Sequence, residues 1–308
     1  MKNIQNSQKI DLAKGVYIPA ITPFDEKEQL SLEMIKHNIS LWKDTDVAGY
    51  MCLGSNGEFR MLDEEESWKV LCTYSEFHGN KQVIAGVGRE SLYHTKKLID
   101  KIQRAELNFN ALAVLTPSYF RSAMNDTALI EYYREVADFS QYPILLYCAP
   151  KFANDVSISV NVLRELASHP NIIGIKDTSS DKMHTYMKEV GEKDDFCVIA
   201  GTISNLHECL QYGGSRAVLS SANYFPDECS RLLRIWNKDD QEKFLMEFSA
   251  LKNSVSKTGG VQGVSSIKYV MNLMGYQAGI PRRPLRPVAE EQADTIKSAL
   301  EKQIDIMD

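Results

Sequence analysis

Lysine and arginine never gather into a basic block in this chain, and the formal net charge is −6. Phosphate backbones are bound by clustered cations, so nucleic acid is not an expected partner. A local basic pocket for a small anion is still allowed. None of the six cysteines (Cys52, Cys72, Cys148, Cys197, Cys209 and Cys229) forms a CxxC pair. Cys52, Cys148 and Cys197 lie inside apolar runs, where a thiol behaves as a small buried hydrophobe. Free thiols in a chain of 308 residues point to a reducing compartment. No apolar run approaches the length of a bilayer span. Met1 to Lys14 is polar and lacks the apolar core of a signal peptide. The expectation is a cytoplasmic protein without membrane contact. What remains is ordinary globular composition, 44% hydrophobic and 25% charged.

Strand-like and helix-like segments alternate along most of the chain. Short apolar runs begin near Gly15, Val47, Gln82, Ala111, Pro143, Ile172, Phe196 and Arg216, and each is followed by a segment with helical periodicity. In the first of these, Ile35, Ile39 and Trp42 share a face. The strands read as nearly continuous apolar runs, as expected where a parallel sheet is buried on both faces. Eight such units predict an α/β fold, a (β/α)8 TIM barrel over residues 1–236. After Trp236 the alternation stops. Three helical patterns remain, with the Pro/Arg segment Pro281 to Pro287 between the last two, so residues 237–308 are expected to be a helical appendage packed on the barrel.

Histidine is missing from the expected carboxyl ends of the strands, where a barrel places its chemistry. No HxH, HExxH or paired carboxylates stand there, which argues against a metal site and a glycosidase pair. Gly86-Val87-Gly88-Arg89-Glu90-Ser91 has serine where a dinucleotide fingerprint has its third glycine. No metal and no cofactor are therefore expected. The strand ends instead offer hydroxyls, amides and one amine: Thr22, Ser55, Asn56, Thr116, Ser118, Tyr119, Tyr147, Lys176, Thr178, Gly201 with Thr202, and Ser220 with Ser221.

Lys176 closes the apolar run Ile172-Ile173-Gly174-Ile175. It either snorkels beyond the strand end or is held desolvated as a nucleophile, since desolvation disfavours a charged amine and the uncharged amine is the form that attacks a carbonyl. Its place at the rim favours the second reading. An amine among phenols and hydroxyls suits carbonyl chemistry through a Schiff base. Tyr147, on the adjacent strand, is a candidate proton shuttle, though a core tyrosine with a satisfied hydroxyl is common. Gly54-Ser55-Asn56-Gly57-Glu58 is a glycine-bracketed turn whose N–H groups could cradle a carboxylate.

Four ordered motifs carry a resemblance: Gly54-Ser55-Asn56-Gly57-Glu58, Thr116-Pro117-Ser118-Tyr119, Tyr147-Cys148-Ala149-Pro150 and Gly174-Ile175-Lys176-Asp177. Together they resemble the N-acetylneuraminate lyase/dihydrodipicolinate synthase family of pyruvate-dependent class I aldolases. The resemblance implies that Lys176 forms an imine with a 2-oxo acid and that Tyr147 relays protons. It implies that Tyr119 completes the relay across a subunit contact, so a homo-oligomer, dimer or tetramer, is expected. Ser55 and Asn56 match the positions that hold the pyruvoyl carboxylate. Thr178, Gly201 and Leu219 complete the expected substrate-binding set, and the resemblance implies pyruvate and an aldehyde as partners.

The departures bear on the second substrate. The lysine-precursor synthases of the family usually carry arginine where Phe152 stands, and threonines where Ser55 and Asn56 stand. Ser55-Asn56 and Pro117-Ser118-Tyr119-Phe120-Arg121 look more like 4-hydroxy-2-oxoglutarate aldolases. Cys148 is atypical of either and, with Phe152, leaves the far side of the pocket open. Asn154 falls near a family glycine, which its tolerance of left-handed backbone permits. The expectation is a 4-hydroxy-2-oxoglutarate aldolase-like lyase. The alternatives are a dihydrodipicolinate synthase and, from another class, a non-catalytic barrel that binds a 2-oxo acid.

Overall fold

The computed structural model describes residues 12–179, 181–191 and 195–307. Its strands are β1 (Gly15–Pro19), β2 (Gly49–Cys52), β3 (Gln82–Gly86), β4 (Ala111–Leu115), β5 (Ile144–Cys148), β6 (Ile172–Asp177), β7 (Cys197–Ala200) and β8 (Arg216–Val218). They run parallel and close into a barrel in chain order. A helix follows each strand: α1 (Leu32–Trp42), α2 (Glu64–Phe77), α3 (Leu92–Arg104), α4 (Asp126–Phe139), α5 (Val160–Leu166), α6 (Met183–Val190), α7 (Ile203–Gln211) and α8 (Pro226–Trp236). Then come α9 (Gln241–Lys257), α10 (Val264–Leu273) and α11 (Glu290–Met307). The fold is the expected (β/α)8 barrel with C-terminal helices.

Local chemistry explains these elements. Every residue of β4, β5 and β6 is buried, which is why their runs show no alternation. Six of the barrel helices start at a side-chain cap: Ser31, Asp63, Ser91, Asn125, Ser159 and Thr202 each accept the N–H three residues on. Asp63 and Glu66 close a reciprocal capping box. On α3, Thr95, Leu98, Ile99 and Ile102 form the buried stripe.

The strands end before their apolar runs do, β2 and β8 among them. The pattern runs from Val47 to Leu53, but Leu53 takes a left-handed φ of 52°, and β2 ends at Cys52. The pattern at the eighth strand runs to Ser221, but β8 stops at Val218. Beyond it Ala222 N–H turns back to Leu219 C=O at 3.0 Å, and a 3-10 turn over Ser220–Asn223 replaces the ladder.

The chain forms two compact units. One is Gln82–Ala217 with residues 12–14. Its core lies between β3–β7 and α3–α7. The other joins Gly15–Lys81 to Val218–Asp308. Here the core gathers Trp42, Tyr50, Tyr74, Tyr224, Phe225 and Phe244. Within this second unit α9 packs on α8, and α11 on α9.

Candidate active site

In the first unit, β5 and β6 pair so that Tyr147 stands opposite Lys176 and Cys148 opposite Asp177. Successive residues of a strand face opposite sides, so one pair of the register shares a face and the next pair shares the other. Lys176 is 3% exposed, and its Nζ lies 4.2 Å from the centroid of the Tyr147 ring. Tyr147 is equally buried. The Lys176 nitrogen thus faces the Tyr147 ring in a buried setting.

The other face of the same strands carries a separate buried cluster. Cys148 Sγ lies 3.7 Å from the Tyr186 hydroxyl of α6, and that hydroxyl donates to the Ile158 carbonyl. Asp177 accepts from Ser179 Oγ at 2.6 Å and from its N–H at 3.1 Å. Burial pushes the Cys148 thiol up to about 12 and holds the Asp177 carboxyl above its usual range, while the Ser179 bonds oppose the latter. This corrects the sequence reading of Cys148. It packs toward the helix layer, away from the face that carries Lys176, because it is one residue out of phase with Tyr147.

Two glycines make room at β6. A Cβ on Gly174 would meet the Cys197 carbonyl oxygen at 2.3 Å, and one on Gly201 would meet the Asp177 carbonyl oxygen at 2.5 Å and Thr178 Cγ2 at 2.5 Å. Gly201 N–H donates to that Asp177 carbonyl at 2.7 Å. Its role in the structure is close backbone approach. Thr178 is half-buried and bonds the Cys148 carbonyl through both its N–H and its hydroxyl, at 3.0 and 3.3 Å.

Tyr119 is not part of this buried group. It is 76% exposed, with its ring edge-to-face on Phe120 at 5.0 Å, and Phe120 is 71% exposed. The Glu90 carboxylate fixes the loop by accepting the N–H groups of Ser118 and Tyr119 at 2.8 and 2.9 Å. A cavity of about 240 Å³ beside it is lined by residues including Glu90, His94 and Met124. Phe152 is 56% exposed, and Asn154 adopts φ 48°, the left-handed backbone expected of it.

In the second unit, Ser55 and Asn56 lie on the loop after β2. Asn56 Nδ2 donates to Ser220 Oγ at 2.9 Å. Gly57 N–H donates to Gly54 C=O at 3.0 Å, and Glu58 N–H to Ser55 C=O at 3.1 Å. Those two N–H groups are committed within the loop, so the five-residue cradle expected from the sequence narrows to its first part. Thr22 Oγ1 donates to Gly57 C=O at 2.7 Å and ties the loop to the end of β1. Leu219 is 1% exposed and its N–H donates to Tyr17 C=O at 3.3 Å.

Glu58 was not anticipated as more than the end of the motif. It has a left-handed φ of 50° and is 5% exposed. Its Oε1 pairs with Lys268 Nζ of α10 at 2.6 Å, and its Oε2 accepts the Arg282 N–H at 3.0 Å. Lys268 also donates to Ile280 C=O at 2.8 Å and lies 4.4 Å from the Phe24 ring centroid. Burial pulls Lys268 down to about 8, against the opposing pull of Glu58. Arg282 holds Glu66 in a fork, with both contacts at 2.7 Å. The sequence signal was available: Lys268 interrupts an apolar helical stripe with Val264 and Met271.

Residues 12–303 match the model of the dihydrodipicolinate synthetase family. A probable mitochondrial 4-hydroxy-2-oxoglutarate aldolase of Emericella nidulans is 28% identical over 306 residues, covering 96% of each chain. A 4-hydroxy-tetrahydrodipicolinate synthase of Caldicellulosiruptor saccharolyticus is 28% identical over 296 residues, covering 93% of this chain and 96% of that protein. Among solved structures, an E. coli prophage protein of the dihydrodipicolinic acid synthase family, in complex with pyruvate, superposes with a TM-score of 0.86 at 25% identity, covering 96% of this chain and 99% of that one. A barrel whose β5–β6 register buries an amine against a phenol thus accompanies full-length likeness at every level of comparison, and the chain belongs to the dihydrodipicolinate synthetase family of Schiff-base-forming, pyruvate-dependent aldolases and lyases.

Proposed function

We propose that the enzyme cleaves 4-hydroxy-2-oxoglutarate to pyruvate and glyoxylate, or joins the two, through an imine on Lys176. The observation that carries this reading is the buried Lys176 amine 4.2 Å from the Tyr147 ring. The amine adds to the C2 carbonyl and water leaves, forming the imine. Tyr147 removes the proton of the 4-hydroxyl. The C3–C4 bond then breaks, its electron pair passes toward the imine nitrogen, and the aldehyde departs. The enamine takes a proton at C3, and water hydrolyses the imine to free pyruvate and Lys176. Ser55 and Asn56 are the groups we assign to the 2-oxo acid carboxylate, and Thr178, Gly201 and Leu219 to the wall of the site.

The choice of aldehyde is supported by Phe152 at the position where the synthases usually carry arginine, and by the name of the Emericella relative. The exposed Tyr119–Phe120 pair supports a homo-oligomer in which a second copy covers it. The six free thiols support a reducing, cytoplasmic setting. Borohydride reduction in the presence of pyruvate, followed by peptide mapping, is expected to modify Lys176. No adduct on that peptide overturns the mechanism. Faster condensation of pyruvate with aspartate semialdehyde than cleavage of 4-hydroxy-2-oxoglutarate overturns the substrate and favours the synthase.

A further inference from the structure

We infer that Lys268, on a helix beyond the barrel, is a positioning residue for 2-oxo acid binding: its ion pair with Glu58 holds the Ser55–Asn56 loop in shape. The inference rests on the proposal that this loop takes the substrate carboxylate. Three moorings of the loop stand out among the described residues. Thr22 holds the Gly57 carbonyl, Ser220 holds the Asn56 side chain, and Lys268 with the Arg282 N–H holds the Glu58 carboxylate. The first two are single neutral hydrogen bonds. The third is a charged pair at 2.6 Å between side chains 1% and 2% exposed. Ion pairs with so little solvent are screened little, and a charge left there without its partner is strongly disfavoured.

The backbone shows why such a tie is needed. Glu58 takes φ 50°, a conformation that a side chain adopts at a cost. That kink lets Gly57 and Glu58 turn their N–H groups back onto Gly54 and Ser55, directing the first half of the loop elsewhere. If the carboxylate of Glu58 is released, the strained residue can relax toward extended backbone, and the turn that presents Ser55 and Asn56 loosens. Lys268 reaches no part of that turn except Glu58 among the contacts described, so its effect runs through Glu58. Substrate binding, rather than the bond-breaking steps at Lys176, is the stage such a change weakens.

The test is borohydride trapping of pyruvate by the full-length chain, titrated with pyruvate, alongside steady-state cleavage. Lys268→Met is expected to raise both the pyruvate concentration for half-maximal trapping and KM about tenfold, with kcat reduced far less. Lys268→Arg, which keeps the charge, is expected to return most of the loss. Should Lys268→Met fail to fold, Glu58→Gln combined with Lys268→Met leaves no buried charge alone and is read in the same way. Half-saturation within twofold of the native value in the folded variant overturns the inference while leaving imine chemistry intact. A fall in kcat with KM unmoved overturns it as well. Absence of any adduct in the native chain overturns the proposed function and this inference with it.

Discussion

Tyr147 and Lys176 are direct partners in the β5–β6 ladder, and the lysine amine lies 4.2 Å from the centre of the tyrosine ring. Parallel pairing puts two side chains from distant parts of the chain at one level and on one face. In the proposed mechanism the amine acts at C2 and the phenol at the 4-hydroxyl, and this separation lets both reach one bound substrate. Neither needs a metal to be placed.

Removing the amine separates function from stability. Lys176→Met is expected to abolish both trapping by borohydride and turnover. It is also expected to leave the chain folded, since the replacement is an apolar side chain of similar length in a buried place. Urea denaturation followed by circular dichroism measures this. A folded Lys176→Met variant with residual turnover near the native rate refutes the nucleophile.

The phenol is expected to act later than the amine. Tyr147→Phe keeps the ring that Lys176 packs against and removes the hydroxyl. Its kcat is expected to fall by about 10²–10⁴, the usual worth of a positioned proton carrier. Pyruvate adduct formation is expected to survive. An unchanged kcat excludes Tyr147 from proton transfer.

Gly201→Ala is predicted to be destabilising far beyond an ordinary glycine change. The new Cβ would lie 2.5 Å from the Asp177 carbonyl oxygen, and backbone does not move aside as a flexible side chain does. Overpacking of this kind costs about 1–3 kcal/mol. A Gly201→Ala chain as stable as the native one in urea contradicts the close approach of β7 to the end of β6.

Five of the six thiols should be silent in the native state. Five of the six cysteines are buried, and only Cys72 is half-exposed. Burial pushes both Cys148 and Cys229 up to about 12, so neither is a thiolate near neutral pH. Ellman's reagent at pH 8 is expected to titrate Cys72 alone in the folded chain and all six after unfolding. Rapid native reaction at Cys148, mapped by mass spectrometry, contradicts its placement against Tyr186.

Acid sensitivity should pass through Arg282. Its fork lowers the Glu66 carboxyl below the ordinary 4.5. A depressed carboxylate binds fewer protons folded than unfolded, so stability from this group is complete above the unfolded value. It is lost as pH falls through the lowered one. Arg282→Met is expected to flatten the loss of stability below about pH 4.5 relative to the native chain, followed by urea midpoints at each pH. Parallel pH profiles for the two proteins contradict this role of the pair.

The amino-acid sequence by itself determined the barrel, because eight apolar runs alternating with amphipathic helices leave few other ways to bury both faces of a parallel sheet. It also singled out Lys176 and Tyr147 as candidates, an amine and a phenol at the ends of neighbouring buried strands. The tertiary structure decided what depends on phase and on distant partners. Cys148 neighbours Tyr147 in the chain, yet the pleat turns it toward Tyr186 and away from the amine. Strand lengths shifted where a left-handed residue at Leu53 or a 3-10 turn at Ser220 displaced the ladder. The partnership of Glu58 with Lys268 and Arg282 joins residues more than two hundred positions apart. Local periodicity carries no information about a pairing that only long-range packing creates.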